Sequence, residues 1–163
     1  MIKIRKVKAT DHDQVWDILK DIIRKGNVFA HPVSSSKEKM IGYWCNADKH
    51  VYVAIEEGEI AGTFFIQDNQ PGLGSHIANA GYAVSEKKTG KGIGKYMGEY
   101  SLVEAKRLGY TAMQFNLVVK SNNAAVKLWK KIGFEIIGEI PDAFNHSENG
   151  LTNAYIMYRK LVK

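Results

Sequence analysis

The sequence predicts an α+β fold in which helices pack on a mixed β-sheet, arranged as one domain over residues 1–163. Segments of alternating apolar and polar residues, typical of strands, are interleaved with segments whose apolar residues recur at helical spacing. The 163 residues are enough for one core of ordinary size. A content of 45% hydrophobic and 25% charged residues is typical of an ordered globular chain.

The first half of the chain predicts a strand, two helices and a strand hairpin. Apolar residues recur at helical spacing up to Gly26, a residue type that commonly ends helices. Ser35 and Glu38 form a capping-box pattern at the start of the second helix. A Glu-Glu-Gly-Glu turn then separates two apolar segments, as in a β-hairpin. The predicted ranges are a strand at 2–7, helices at 10–26 and 35–46, and strands at 51–55 and 60–66.

The second half predicts two strand–helix units followed by two further strands. A segment rich in Gly, Pro and Asn at 68–75 is expected to be a loop, and so is a polar segment at 141–150. The predicted order along the whole chain is therefore βααβββαβαββ. The predicted ranges are strands at 76–84, 111–119, 134–140 and 152–161, and helices at 92–108 and 121–133.

The composition limits the classes of function. The formal net charge is +6, but the basic residues are scattered except for a local concentration at residues 87–95. This distribution favours a local anion site and predicts no nucleic-acid partner, although a solvated basic surface remains an alternative. The single cysteine, Cys45, excludes an intramolecular disulfide and a multi-cysteine metal site.

Targeting and metal-binding signals are also missing from the sequence. No apolar run approaches the roughly 20 residues that span a bilayer, and the N-terminus lacks the apolar stretch of a signal peptide. We therefore expect a cytoplasmic location and no membrane partner. The spacing of the histidines does not form a metal site, so we expect no metal.

A glycine-rich segment lies between a predicted strand and a predicted helix. Glycine lets the backbone adopt positive φ and lets a ligand approach the N–H groups. The first N–H groups of a helix have no internal partner and favour an anion. With the lysines around it, the segment suits a pyrophosphate, and a plain capping turn is the alternative. Its sequence is Thr89-Gly90-Lys91-Gly92-Ile93-Gly94-Lys95, and the further lysines are Lys87 and Lys88.

Two common phosphate-binding patterns do not fit this segment. A Walker loop ends in Gly-Lys-Ser/Thr, whereas Lys95 is followed by Tyr96, and Thr89 stands where the first glycine is needed. A dinucleotide fingerprint would need glycine at Lys95 or at Met97. The loop also follows the fourth predicted strand instead of the first.

The segment does resemble the signature of the GNAT superfamily of N-acetyltransferases, Gln/Arg-x-x-Gly-x-Gly/Ala after a strand, although Thr89 departs from its first position. A second motif of this family, Asn-x-x-Ala-x-x-Leu-Tyr-x-x-x-Gly-Phe, is matched from Asn122 to Phe134 with Trp129 at the Tyr position. The resemblance implies a GNAT-like acyl-CoA N-acyltransferase fold, an α/β three-layer sandwich. Its twisted sheet would be mixed and mostly antiparallel, with a splayed central strand pair and helices on both faces.

The resemblance further implies that acetyl-CoA is the co-substrate and lies in the gap between the splayed strands. The backbone of Tyr82, Ala83 and Val84 would pair with the pantetheine arm and polarise the thioester carbonyl. Asn122 would bond the arm from the start of its helix, and Trp129 would pack beside the thioester. The pyrophosphate would lie on Thr89, Gly90, Lys91, Gly92, Ile93, Gly94 and Lys95.

The segments around His76 and Gln114 resemble a GNAT subgroup that includes the yeast azetidine-2-carboxylate (proline-analogue) acetyltransferases. In that subgroup asparagines border the substrate pocket, which implies that Asn79 and Asn116 hold a small polar acceptor. Satisfied core amides are the alternative. Asn79 also stands where histone-type members carry a glutamate base, so that base is not expected here.

The acid and the base of the reaction are not assigned by the resemblance. Trp129 replaces a phenol with an indole that has no usable acidity, so we expect Tyr82 or a water molecule to protonate the leaving thiolate. Phe29, Tyr43 and Trp44 are expected to pack in the core, with a substrate wall as the alternative. The candidate bases are His31, His76, His146 and Glu148.

Taken together, the motifs predict an enzyme that moves the acetyl group of acetyl-CoA to the amine of a small polar molecule by direct attack. The alternatives are a catalytically degenerate acyl-CoA-binding module and a protein or peptide N-acetyltransferase. The acceptor is expected to be an amino acid or an analogue, and a homodimer is left open.

Overall fold

The computed structural model describes residues 1–162, and Lys163, the last residue of the predicted domain, lies outside them. Seven strands form one open sheet in the order β1-β2-β3-β4-β5-β7-β6. The order of strands and helices along the chain is the predicted βααβββαβαββ. The elements are β1 (Ile2–Lys6), α1 (His12–Lys25), α2 (Lys37–Trp44), β2 (His50–Glu56), β3 (Glu59–Asp68), β4 (Ile77–Val84), α3 (Ile93–Arg107), β5 (Ala112–Val119), α4 (Asn123–Lys131), β6 (Glu135–His146) and β7 (Gly150–Lys160).

The helices cover both faces of the sheet and enclose two apolar cores. Successive residues of a strand point to opposite faces, and β2 shows the result. Tyr52 and Ala54 lie in the core beneath α3 and α4, whereas Val51 and Val53 lie in the core beneath α1 and α2. The predicted three-layer arrangement is therefore confirmed. None of the helices within residues 1–162 combines the length and apolar character needed to cross a membrane.

The centre of the sheet is splayed. β4 and β5 run parallel and pair only at Ile77–Ala112 and Ala78–Met113, after which the two strands separate. All other neighbouring strands are antiparallel. The expected mostly antiparallel sheet with a splayed central pair is thus confirmed, and the splay creates a gap that begins at Asn79.

The polar segment 141–150 is not the expected loop, because most of it belongs to a long β6–β7 hairpin. The register shifts between Ile140 and Phe144, where Asp142 has a φ of 50°. Pairing then resumes and continues to His146, opposite Gly150. The segment is polar because β6 is an edge strand with mostly exposed side chains, so its composition resembles that of a loop.

The N-terminus of α2 also differs from the expected one by one residue. The side chain of Ser36 caps the helix by accepting a hydrogen bond from the N–H of Lys39. Ser35 is instead buried, and its hydroxyl donates to the carbonyl of Pro32 at 2.5 Å. Ser35 therefore stabilises the loop before α2 and not the helix itself.

The tip of the β6–β7 hairpin is attached to the end of α1. Ser147 donates its hydroxyl to the carbonyl of Lys25 at 2.6 Å and its N–H to the carbonyl of Gly26 at 3.0 Å. Gly26 ends the helix with a φ of 63°, and a Cβ there would lie 3.2 Å from the Cβ of Ser147. The hairpin thus connects β6 and β7 to the helical layer on the other side of the gap.

We expect Gly26→Ala to lower the free energy of unfolding by about 1–2 kcal/mol, because alanine is strained at positive φ and would crowd Ser147. Gly42→Ala is the matched control, since Gly42 lies exposed within α2 with no atom near its Cβ position. That control should gain about 0.5–1 kcal/mol in helix propensity. Urea unfolding measures both changes, and equal effects of the two substitutions would contradict the role of Gly26.

Candidate active site

Among the described residues, the backbone of β4 beside the gap has no hydrogen-bond partner at alternate positions. Opposed residues of antiparallel strands alternate between hydrogen-bonded and unbonded pairs, and Ser85 donates its N–H to Ala61 of β3 at 2.8 Å. Ala83, two residues before Ser85, is likewise at a position hydrogen-bonded to β3, whereas Tyr82 and Val84 are at the alternate positions that are not bonded to β3. Tyr82 and Val84 therefore direct their N–H and C=O groups into the gap. The expectation that Ala83 also contributes its backbone is wrong, because its polar groups face β3.

A cavity of about 430 Å³ fills the gap. It extends from the layer of α1 and α2, where Phe29 and Tyr43 line it, to the layer of α3 and α4. On that second side Gly94, Asn122 and Trp129 line the wall. Residues from both motifs and from both faces of the sheet therefore meet at one continuous cavity.

The glycine-rich loop presents free backbone donors at the start of α3. Gly90 and Gly92 have φ values of 82° and 78°, and Gly92 is the N-cap residue. Within residues 1–162, the N–H groups of residues 90–95 have no hydrogen-bond acceptor. Thr89 differs, because its N–H and hydroxyl donate to Glu86 and Ser85, each at 3.4 Å. The unpaired N–H groups and the helix dipole together suit an anion such as a pyrophosphate.

The lysines around this loop are not equivalent. Lys88 lies 3.3 Å from Glu56 and 3.6 Å from Glu57, and the ion pair with Glu56 raises the pKa of its ammonium group. Its charge is balanced by the turn between β2 and β3. Lys91 and Lys95 form only long or exposed ion pairs, which contribute little. The positive charge available to an anion therefore comes from those two lysines more than from Lys88.

The hydroxyl of Tyr82 is engaged in the core and not free in the gap. It lies 2.6 Å from the hydroxyl of Ser101, which itself donates to the carbonyl of Gly98 at 2.7 Å, and 3.6 Å from the sulfur of Met113. Burial raises the pKa of Tyr82 above its ordinary value. A phenol with a raised pKa is a poorer acid, so this geometry argues against the expected proton transfer from Tyr82.

Trp129 and Asn122 occupy the α4 side of the cavity. The indole of Trp129 is 8% exposed and packs at 4.7 Å between ring centroids against both Tyr82 and Phe115. A Cβ at Gly98 would approach Trp129 to 3.1 Å, so this glycine lets α3 and α4 pack closely. Asn122 caps α4 by accepting from the N–H of Ala125 at 3.3 Å, and its amide nitrogen remains available to the cavity.

Asn79 and Asn116 belong to an amide network at the point where the strands separate. Asn79 donates to the carbonyl of Gln114 at 3.0 Å and accepts from the side chain of Gln67 at 3.3 Å. Asn116 donates to Asn69 at 2.7 Å and accepts from the side chain of Gln114 at 3.0 Å. The network links β3, β4 and β5 and lines the cavity. Both asparagines are thus structural amides, and each retains hydrogen-bonding capacity for a ligand.

Aromatic side chains form the wall of the cavity on the α1 and α2 side. Tyr43 contacts His31 with its ring at 4.5 Å, and Trp44 contacts Phe65 at 4.8 Å between ring centroids. The side chain of Trp44 is only 2% exposed, yet it also lines the cavity. This residue therefore packs in the core and forms part of the cavity wall. The sequence did not indicate Phe65. Its ring fills the space above Gly81, where a Cβ would lie 2.5 Å away, so the glycine makes room for the ring of Phe65.

The candidate bases lie in different surroundings. His146 accepts the N–H groups of Glu148 and Asn149 at 3.1 and 3.2 Å, so it stabilises the tip of the hairpin. His76 is exposed just before β4. Within residues 1–162, His31 is the one histidine that lines the cavity, and no Asp, Glu, Lys or Arg does so. The described residues contain no group of three or more His, Cys, Asp or Glu side chains placed to hold a metal.

Comparison with known proteins finds similar sequences and similar folds. A family model described as acetyltransferase (GNAT) family matches residues 16–134. The N-acetyltransferase aca1 of Schizosaccharomyces pombe is 38% identical over 98 residues, which cover 60% of this chain and 47% of aca1. The chain therefore spans about half the length of this curated relative.

Solved structures share the fold over almost the whole chain. A GCN5-related N-acetyltransferase from Kribbella flavida is 29% identical with a TM-score of 0.93, covering 98% of this chain and 97% of that one. The yncA protein of Salmonella typhimurium, solved with its cofactor acetyl-CoA, is 18% identical with a TM-score of 0.88, covering 100% and 95%. At the identity of the second structure the likeness shows the fold alone.

We expect Tyr82→Phe to lower the free energy of unfolding by about 1–2 kcal/mol, because the buried hydroxyl of Ser101 keeps its bond to Gly98 but loses the bond to the hydroxyl of Tyr82. Tyr43→Phe is the matched control, since the hydroxyl of Tyr43 has no hydrogen-bond partner within residues 1–162 and its side chain is 40% exposed. Urea unfolding at pH 7 compares the two variants. An equally small loss in both would show that the Tyr82 hydroxyl is not held in the core.

Proposed function

The chain belongs to the GNAT family of acetyltransferases, and from this premise we propose that it transfers the acetyl group of acetyl-CoA to the amine of a small polar molecule. The observation that carries the proposal is the gap beside β4. It offers the unpaired backbone of Tyr82 and Val84 at one point and the free N–H groups of the glycine-rich loop at another. An extended molecule with a thioester at one end and a pyrophosphate farther along fits both features.

Acetyl-CoA would lie in the gap as an added strand. The backbone groups of Tyr82 and Val84 would bond the pantetheine arm, and an N–H directed into the gap would stabilise the oxyanion that forms on the thioester carbonyl. The amide nitrogen of Asn122 would bond the same arm, and Trp129 would pack beside the thioester. The N–H groups of residues 90–95, with Lys91 and Lys95, would bind the pyrophosphate.

The acceptor would enter on the aromatic side of the cavity, where we place a small amino acid or an analogue. The amides of Asn79 and Asn116 can bond both an amine and a carboxylate without fixing the charge of either. The described wall contains no carboxylate, so a second positive charge on a polyamine, an aminoglycoside or a lysine-rich peptide would be desolvated without a counter-ion. The resemblance to azetidine-2-carboxylate acetyltransferases supports the same substrate class.

The reaction we propose is direct attack by the neutral amine on the thioester carbon, with no covalent enzyme intermediate. The cavity positions the two reactants, and the backbone of β4 stabilises the developing charge. The coenzyme A thiolate would leave without a proton from Tyr82, whose hydroxyl is bound to Ser101, and water would protonate it. The cytoplasmic location and the one-domain span of 1–163 stay predictions, and a homodimer stays open.

We expect Gly92→Glu to abolish detectable binding of acetyl-CoA in isothermal titration calorimetry, because the new carboxylate would repel the pyrophosphate and obstruct its N–H donors. Gly72→Glu is the matched control, because Gly72 also has positive φ and no atom near its Cβ position, but it lies in the exposed loop before β4. Both variants therefore carry similar backbone strain. If Gly92→Glu binds acetyl-CoA as tightly as Gly72→Glu, the loop does not hold the pyrophosphate.

We expect a thiol-release screen with acetyl-CoA to give turnover with amino acids, L-azetidine-2-carboxylate among them, and none with spermidine or gentamicin. The neutral wall of the acceptor side is the physical reason. Turnover with lysine peptides alone would overturn the small-acceptor proposal in favour of a protein acetyltransferase. Tight binding of acetyl-CoA without turnover of any amine would identify a degenerate acyl-CoA-binding module.

A further inference from the structure

His31 lies in the wall of the cavity on the side where the acceptor would enter. It belongs to the loop between α1 and α2, and its half-buried ring faces the same cavity as Asn79 and Asn116. Its ring nitrogens have no hydrogen-bond partner within residues 1–162. Of the side chains in that range that line the cavity, the titratable ones are His31, Tyr43 and Tyr82. His31 is therefore the group with a lone pair suited to accept a proton near neutral pH.

We propose that the imidazole of His31 is the general base that accepts the proton lost by the acceptor amine. This inference rests on the proposed function. The two tyrosines are poor candidates, because the hydroxyl of Tyr82 is bound to Ser101 and that of Tyr43 would have to ionise before it could act. Neither Asn79 nor Asn116 can accept a proton, since a neutral amide has no basic lone pair at this pH.

The loop that carries His31 is held in place at several points. Arg24 of α1 donates to the carbonyl of Ser35 at 3.1 Å and also to that of Val33, and the hydroxyl of Ser35 donates to the carbonyl of Pro32. Ser147 of the hairpin tip holds Gly26 at the other end of the loop. The ring of His31 packs at 4.5 Å against Tyr43, with an angle of 64° between the planes. A base fixed in this way loses little entropy when the acceptor arrives.

The surroundings of His31 also favour its neutral form. Burial lowers the pKa of the imidazole below its ordinary value, and the positive charge of Lys49 acts in the same direction. Lys49 lies 3.2 Å from the ring centroid of Tyr43, between α2 and β2. Within residues 1–162, the titratable groups that contact His31 or act on its charge are Tyr43 of α2 and Lys49 of the following segment. Within the described residues, none of those lining the cavity is a carboxylate that would stabilise the imidazolium.

The proposed step conserves atoms and charge. The amine nitrogen forms a bond to the thioester carbon, the carbon–sulfur bond breaks, and its electron pair leaves with the sulfur as the coenzyme A thiolate. The proton from the amine nitrogen moves to the free imidazole nitrogen of His31. The imidazolium then releases that proton to water, from which the thiolate is protonated, and the neutral base is restored.

We expect His31→Gln to lower kcat about 100-fold or more while the dissociation constant of acetyl-CoA stays within twofold of the parent value. His76→Gln is the matched control, since His76 is exposed and outside the cavity. The probe is the amino acid with the highest turnover in the acceptor screen. Urea unfolding of both variants checks that the fold is retained, and added imidazole should partly restore turnover to His31→Ala.

The pH profile gives a readout that a structural role would not change. Below the pKa of the amine, log kcat/KM should fall with a slope of one, and the slope should steepen to two once His31 also becomes protonated below its pKa. His31→Gln should remove the extra unit of slope, and His76→Gln should keep it. If the kcat of His31→Gln is within threefold of the parent value, or if the variant keeps the extra slope, His31 is not the general base. The proposed function still holds in that case, because the parent protein acetylates the amine. A parent that acetylates no amine in the screen overturns both.

Discussion

The separation of β4 from β5 is the constraint on which the rest of the site depends. After two residue pairs the strands part, and within residues 1–162 the polar backbone groups of Tyr82 and Val84 that point into the gap have no protein partner. Buried backbone groups are costly unless something bonds them, so a gap of this kind is stable only when water or an extended ligand occupies it. A regular parallel pair would have satisfied the same groups and closed the cavity. The irregular pairing therefore links the fold directly to the binding of an extended cofactor.

The gap stays open because other interactions join the two halves of the sheet around it. At its start, Asn79 and Gln114 form a hydrogen bond between the strands, and beyond that point Trp129 packs against rings from both β4 and β5. On the opposite face, the β6–β7 hairpin reaches the end of α1 through Ser147. Beyond their two paired residues, β4 and β5 are thus kept at a fixed separation by side-chain contacts and by the β6–β7 hairpin. Backbone hydrogen bonds between the two strands do not set that separation. Such a site is organised before a ligand binds, which reduces the entropy cost of binding.

The order of the elements and the loop were predictable because their signals are local. Glycines at 90 and 92 adopt positive φ in the structure, as the spacing in the sequence suggested. The details that the sequence did not predict depend on distant partners. Whether the backbone N–H and C=O groups of Ala83 point toward β3 or into the gap depends on the register of the β3–β4 pair. The positive charge of Lys88 is balanced by Glu56, which lies at the end of β2, far from Lys88 in the sequence. A hydrogen bond between Tyr82 and Ser101 likewise depends on how α3 packs on the sheet.

The electrostatic character of the two ends of the cavity differs, and this difference bears on which protonation form of the acceptor amine would enter. Lysines and free N–H groups lie at the glycine-rich loop, whereas the described wall on the acceptor side is aromatic and neutral apart from a histidine whose pKa is lowered. An ammonium ion entering that neutral wall would lose its hydration without gaining a counter-charge. The wall therefore favours the uncharged amine, which is the form that attacks a thioester. Selection of the reactive form and exclusion of polycationic acceptors would then follow from one property, the lack of a carboxylate among the described residues that line the cavity.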